Sequence, residues 1–203
     1  MNLNFAAFPC LETSRLVLRK MSFKDATDLF EIRSNPEMID YSDSKLDEFL
    51  EDTIKFIEII NRGIEKNKWI NWGIIHKENN KLIGTINIWN FDMEEKKAEI
   101  GYGLNPKYQG KGLMSEALKE VINFGFKEIG LDSIEVWTEK RNERSIKLIE
   151  KHGFNYLKEV REMGYYKKQQ FNMKVYVLNK GDSYGSSILW FSCWLTYAWR
   201  KIW

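Results

Sequence analysis

Histidine and cysteine are both scarce in this sequence. Its 203 residues hold two of each, His76 and His152, Cys10 and Cys193; they lie far apart and without metal-ligand spacing, so no zinc site is expected. With few cysteines and no signal-peptide pattern at the amino terminus, a reducing cytoplasm is the expected setting. An excess of one charge is missing too. Lys and Arg number 31 against 29 Asp and Glu, and the signs alternate locally, as in Lys140-Arg141-Asn142-Glu143-Arg144. Nucleic-acid binders gather their cations on one face, so no such partner is implied. The most apolar stretch, 188–199, is interrupted by Ser192 and Thr196 and falls short of the ~20 residues a bilayer span requires. Two nucleotide loops are absent as well. There is no Walker loop ending in Lys-Ser or Lys-Thr, and no dinucleotide fingerprint with its third glycine in a βαβ unit near the chain start.

What is present is the composition of a globular domain, 43% hydrophobic and 30% charged, long enough for one full core. Alternation over 15–21 predicts a strand. Ser22 followed by Asp25 predicts a helix cap, with Phe23, Ala26, Leu29, Phe30 and Ile32 as the apolar face and Asn35-Pro36 as the stop. Leu46, Phe49, Leu50, Ile54, Phe56, Ile57 and Ile60 recur at helical spacing, predicting a helix over 46–62 with Gly63 as its C-cap. Strands are expected at 71–76, 82–89 and 98–104, joined by short turns into an antiparallel meander.

A helix over 112–129, a strand at 133–138, a helix over 142–151 and strands at 154–160 and 170–178 complete the order β-α-α-β-β-β-α-β-α-β-β. The fold class is α/β (α+β): a mixed, mostly antiparallel sheet flanked by helices, with one crossover helix between neighbouring strands. The domain spans 11–178. Residues 181–203 form an extension carrying four of the eight tryptophans. An interfacial helix, an oligomer arm and a terminal extension without a role all fit it.

The most informative run is Ile100-Gly101-Tyr102-Gly103-Leu104-Asn105-Pro106-Lys107-Tyr108-Gln109-Gly110-Lys111-Gly112-Leu113. A strand passes through a glycine turn into a helix, so backbone N–H groups and the positive end of a helix dipole converge on one point. That is a cradle for a phosphate or pyrophosphate. With the triphosphate and dinucleotide loops excluded, its ligand is of another kind.

Glu99-Ile100-Gly101-Tyr102, Asn105-Pro106, Tyr108-Gln109-Gly110-Lys111-Gly112 and Ser115-Glu116-Ala117-Leu118 together resemble the acetyl-CoA-binding motif of the GNAT N-acetyltransferases. Asn142-Glu143-Arg144-Ser145, Leu148 and Lys151-His152-Gly153-Phe154 match the second motif of that superfamily. Leu11-Glu12-Thr13-Ser14-Arg15-Leu16-Val17-Leu18-Arg19 and Asn35-Pro36-Glu37 are similar to the RimJ/RimL branch, the ribosomal-protein N-terminal acetyltransferases. The resemblance covers about residues 11–178. It departs at Lys107, where the family usually has Gln or Arg, and at Ile149, where many members carry the tyrosine that protonates the departing thiolate.

The resemblance implies an acetyl-CoA-dependent transfer to a primary amine by direct attack in a ternary complex, with no metal. Leu104, Lys107, Gln109, Gly110, Lys111, Gly112 and Leu113 are placed at the donor, and Asn142 at its pantetheine arm. Side chains at Gly110 and Gly112 would block backbone approach to the pyrophosphate. Ser145 is the proton donor implied by the RimL-like branch, or else supports the cap of its helix. Glu99 is the candidate base, and backbone N–H groups of its strand would hold the oxyanion.

Tyr41, Trp89, Phe91 and Trp137 either wall the acceptor pocket or fill core. Asp40, Asp43, Asp47 and Glu48 either steer a cationic amine or belong to a solvated loop and helix start. The acceptor is a protein N-terminus or a small-molecule amine, and the protein a monomer or homodimer. A non-catalytic acyl-CoA-binding module is the competing reading, kept open by Ile149. Membrane association through the tryptophan-rich extension is a third reading.

Overall fold

Strand-forming Ile, Val and Trp residues alternate or run together through the chain's middle, and they assemble one sheet. The computed structural model describes residues 1–182; Cys193 and nearly all of the 181–203 extension lie outside the described residues. The strands are β1 (Leu11–Glu12), β2 (Leu16–Arg19), β3 (Ile70–His76), β4 (Lys81–Asp92), β5 (Lys97–Leu104), β6 (Ser133–Glu139), β7 (Asn155–Met163) and β8 (Gln170–Asn179). The helices are α1 (Ala26–Arg33), α2 (Leu50–Glu65), α3 (Leu113–Phe124) and α4 (Glu143–Lys151). The strand order is β1-β2-β3-β4-β5-β6-β8-β7. Every neighbour pair is antiparallel except β5 and β6, which α3 connects as a crossover. The expected element order holds, with the two-residue β1 added in front, and β8 inserts between β6 and β7.

The sheet separates two apolar clusters. The larger contains Ile86, Ile88, Ala98 and Ile100 from the strands, packed against Leu113, Ala117, Leu118 and Val121 of α3. The smaller joins Ala26, Leu29 and Ile32 of α1 and Ile57 of α2 to Ile75 and Leu82. Burying a Leu or Ile side chain of this kind stabilises by about 1.5–3 kcal/mol, so both clusters fix their helices firmly to the sheet.

Four local expectations are corrected. α2 begins at Leu50 rather than at 46, because Asp47 is drawn out of helical geometry. Its carboxylate accepts from Arg33 Nε at 2.7 Å and Thr53 Oγ1 at 2.6 Å, while Phe49 stands extended as the N-cap. Gly63 is inside α2, not its C-cap; an added Cβ would lie 2.0 Å from the Trp69 ring, so close packing demands the glycine. Phe23 is 59% exposed, since the chain enters α1 through a 3-10 turn, Phe23–Asp25, that turns it outward. The Ser22–Asp25 cap itself is present, with Ser22 N–H donating to Asp25 at 2.8 Å. The 112–129 helix is regular only to Phe124 and widens to a π turn over Gly125–Ile129.

Candidate active site

Beyond Glu99 the sheet opens. β5 and β6 pair only through Lys97↔Ser133, Ala98↔Ile134 and Glu99↔Glu135, yet β5 runs on to Leu104 and β6 to Glu139. The strands diverge from there. The edge of β5 that faces β6 has no strand partner from Ile100 onward, so its backbone N–H and C=O groups line a wedge-shaped gap.

Alternation along β5 assigns its residues to the two faces. Ala98, Ile100 and Leu104 join the α3-side core, and Tyr102 packs against it. Tyr102 carries its phenol to the first turn of α4, where Tyr102 Oη and Ser145 Oγ are 2.8 Å apart. Burial, partly offset by the Ser145 hydrogen bond, pushes the phenol up to about 12. Ser145 is itself buried, and its N–H donates to the Asn142 side chain at 3.1 Å. Asn142 therefore caps α4, and its Oδ1 is committed to that cap. Ile149 is fully buried in the core, one turn along α4 from Ser145 and on the same face of the helix. Tyr102 is the site residue that sequence reasoning passed over. Its signal was the position itself, an inward-facing phenol in the strand leading to the cradle.

The cradle closes the wide end of the gap. Asn105 accepts from Lys107 N–H at 3.1 Å and starts a 3-10 turn, Pro106–Tyr108. Gly110 and Gly112 follow with φ of +74° and +75°, the left-handed region that favours glycine. An added Cβ at Gly110 meets no protein atom within 4 Å, so conformation, not crowding by the protein, requires glycine there. The first N–H groups of α3 then point outward, as at any helix start. This bare, N–H-rich turn fits a pyrophosphate.

Side chains brace the cradle. Arg15 Nη1 donates to Lys111 O at 2.9 Å, and Arg15 pairs with Glu116 at 2.7 Å. Burial pushes the Glu116 carboxyl up, but hydrogen bonds from Thr13, Arg15 and Ser14 carry it down to about 2. Gln109 Nε2 donates to Leu104 O and its Oε1 accepts from Arg144, both at 2.9 Å, tying the turn to β5 and α4. Ser115 Oγ and His152 Nε2 are 2.7 Å apart, linking α3 to the end of α4. Burial and the nearby Lys151 and Lys119 push His152 down to about 4.

Of the expected donor residues, Leu104 and Leu113 are core side chains, so only their backbone reaches the cradle. Lys107 is held by Glu31 at 2.6 Å. Among the described residues, no carboxylate lies within 4 Å of the Lys111 or Arg144 cation. A groove of about 660 Å³ beside the turn is lined by His76, Asn79, Lys107, Tyr108 and Lys111.

The opposite face of β5 carries Glu99, Gly101 and Gly103. Glu99 stands at the apex of the gap. Burial pushes its carboxyl above the ordinary carboxylate range, against a hydrogen bond from Asn90, and Glu135 and Glu162 push the same way. Trp89 lies across from Glu99 in register, and Trp137 Nε1 donates to Glu135 at 3.0 Å. Phe91 instead packs into the α3-side core. Gly101 and Gly103 place no side chain on this face; an added Cβ on Gly101 would approach Asn87 Oδ1, which accepts from Gly101 N–H, at 3.0 Å, and one on Gly103 would approach Met38 at 3.2 Å. The acidic residues expected to steer an amine are mostly spoken for. Asp47 is paired with Arg33, Asp43 accepts from the backbone of Tyr166 and Lys167, and Glu48 pairs with Lys45.

Residues 15–155 match the model of the Acetyltransferase (GNAT) domain. This chain belongs to the GNAT acetyltransferase family. This GNAT protein is therefore an N-acetyltransferase that uses acetyl-CoA as co-substrate, and the resemblance read from its motifs is borne out. It is 32% identical over 173 residues to the uncharacterized N-acetyltransferase YoaA of Bacillus subtilis, covering 85% of this chain and 98% of that one. Its fold is similar to that of the ribosomal-protein-S5-alanine acetyltransferase from Vibrio fischeri, with TM-score 0.75 and 22% identity over 86% of this chain and 98% of that one. The spermidine N-acetyltransferase from Vibrio cholerae, solved with CoA and spermine, gives TM-score 0.72 and 19% identity over 84% and 98%. Among the described residues there is no cluster of metal-ligating side chains and no helix long and apolar enough to cross a membrane.

Proposed function

We propose that this enzyme acetylates a primary amine, a protein N-terminus or a small-molecule amine, by direct attack on acetyl-CoA in a ternary complex. The observation that carries the reading is the placement of Glu99 and Ser145 at one gap but on opposite faces of the sheet. Glu99 and Tyr102 are an odd number of residues apart on β5, so the Tyr102–Ser145 pair and Glu99 cannot share a face. A thioester threaded through the gap would show its sulfur to Ser145 and its carbonyl carbon to the Glu99 side.

Gly110, Lys111, Gly112 and the first turn of α3 would hold the pyrophosphate, with Arg144 adding a cation. Asn142 Nδ2 would meet the pantetheine arm. Glu99 draws a proton from the incoming ammonium, directly or through water, and its raised pKa makes it a stronger base than a solvated carboxylate. The amine nitrogen then bonds to the thioester carbon, and free N–H groups of β5 stabilise the oxyanion. The C–S bond breaks as Ser145 gives the sulfur a proton. The domain at 11–178 contains all of these groups, and its setting is the cytoplasm.

The test is release of free CoA thiol from acetyl-CoA with spermidine, with peptides bearing free N-termini and with other amines. Glu99→Gln and Ser145→Ala should each lower kcat by about 10²-fold while leaving CoA affinity in place. Tight acetyl-CoA binding with no turnover on any amine would overturn the reading. Mass spectrometry of cellular amines and protein N-termini after deletion and overexpression would then identify the acceptor.

A further inference from the structure

We propose that Tyr102 is the source of the proton that reaches the departing CoA thiolate, with Ser145 serving as its relay. The inference rests on the ternary-complex reading above and names a residue that reading leaves out.

The geometry is a short chain of two hydroxyls. Tyr102 Oη and Ser145 Oγ are 2.8 Å apart, good hydrogen-bond distance for O–H···O. Both ends are fixed. Ser145 is 9% exposed and its N–H is tied to Asn142, while the Tyr102 ring packs against the α3-side core. The pair also spans the gap, since Tyr102 comes from β5 and Ser145 from the helix that follows β6. The strands at this level make no ladder bonds with each other. The hydroxyl pair thus bridges the place where the sulfur would pass. One turn on from Ser145, on the same face of α4, stands Ile149, so α4 offers no phenol of its own there.

Chemistry says which hydroxyl must supply the proton. An aliphatic alcohol is about as weak an acid as water, far weaker than a thiol, whose pKa is about 8.5. A serine acting alone would be left as an alkoxide, a far stronger base than the thiolate it had just neutralised. A phenol behind it lessens the mismatch, though its phenolate is still a stronger base than the thiolate and must be reprotonated by solvent. Even pushed up to about 12 by burial, Tyr102 is a much stronger acid than an isolated serine. At neutral pH it is fully protonated and ready to donate.

In the relay, the Ser145 O–H bond breaks as the S–H bond forms. The Tyr102 O–H bond breaks as the Ser145 hydroxyl is restored. The phenolate then recovers a proton from solvent. The amine nitrogen has meanwhile released its protons on the Glu99 face, so the charges balance without any further reactant.

The test uses the full chain with acetyl-CoA and the best amine from a panel of spermidine and alanine-initiated peptides. Tyr102→Phe keeps the packed ring, and thermal melting checks that the fold is intact. Its kcat should fall about 10²-fold, with the KM for acetyl-CoA and the calorimetric CoA affinity changed by less than about two-fold. The Tyr102→Phe, Ser145→Ala double variant should be no slower than Ser145→Ala alone, because both substitutions cut one chain. Fluorotyrosine at position 102, a more acidic phenol, should recover most of the rate and move the alkaline limb of the kcat–pH profile downward.

Wild-type kcat in Tyr102→Phe with a slow Ser145→Ala would overturn the relay and leave the ternary-complex reading standing. So would losses that simply multiply. Absence of turnover by the unaltered protein on every amine, with acetyl-CoA bound, would overturn both.

Discussion

On the α3 side of β5, Ile100, Tyr102 and Leu104 fill a core edge, and everything near them is tied down. Gln109 joins the cradle to β5 and α4, Arg15 joins it to Glu116, and Ser115 joins α3 to His152. On the other side, Glu99, Gly101 and Gly103 present one carboxylate and two positions without side chains. Two carboxylates on the opposite sides of this strand are driven in opposite directions. Glu116 is brought down to about 2 by hydrogen bonds, whereas burial pushes Glu99 up. One strand therefore separates a braced side, where the Arg15–Glu116 pair is structural, from an open side with a carboxylate of raised pKa, the proposed donor and acceptor sides.

The sharpest way to break this contrast is to neutralise its reactive member. Glu99→Gln should lower kcat/KM for the amine by about 10²-fold or more with little change in acetyl-CoA affinity. The acidic limb of the wild-type pH–rate profile, which should lie above the usual carboxylate range because the Glu99 pKa is raised, should vanish in the variant. Loss of CoA binding instead would place Glu99 on the wrong side.

Next in size is the cradle. Gly110→Val forces a β-branched residue to a φ of +74°, at a cost of about 1–3 kcal/mol. That strain is present with or without ligand and should lower the melting temperature by several degrees, while the side chain's block of backbone approach should reduce acetyl-CoA affinity about 10-fold or more by calorimetry. Unaltered affinity would remove the cradle from the donor site.

A smaller effect is expected across the strand. Gly101→Ala places a methyl 3.0 Å from Asn87 Oδ1 on the acceptor face. The KM for the amine should rise about 3- to 10-fold while that for acetyl-CoA holds, and equal changes in both would erase the division between the faces.

The smallest effect concerns stability. His152 titrates near 4 in the folded protein against 6.5 ordinarily, so the unfolded chain binds more protons between those values and stability falls as pH drops through that window. Glu116, near 2 against 4.5, has the same sign: its contribution is complete above 4.5 and is lost as pH falls toward 2. Urea titrations across pH 4–7 should show His152→Gln flattening the upper part of this dependence while leaving the catalytic profile in place.

Much of this was legible in the residues themselves. The 3.6 and 2.0 periodicities located all four helices and all but the shortest strand, because burying one face of each element repeats at those intervals. The glycine turn at 110–112 announced itself because few other residues adopt its backbone geometry. Where α2 begins was not legible, since Asp47 is held by Arg33 and Thr53, partners 14 and 6 residues away. Nor was the role of Gly63, which depends on the Trp69 ring.

What the sequence determined by itself was the element order, the left-handed glycine turn and the family's donor, for each is encoded within a few neighbouring residues. Only the tertiary structure decided that β5 and β6 part after Glu99, that Glu99 faces one side and Ser145 the other, and that Tyr102 meets Ser145 over 43 residues of chain. Those facts depend on strand register and helix packing between distant segments, and no local pattern of residues specifies them.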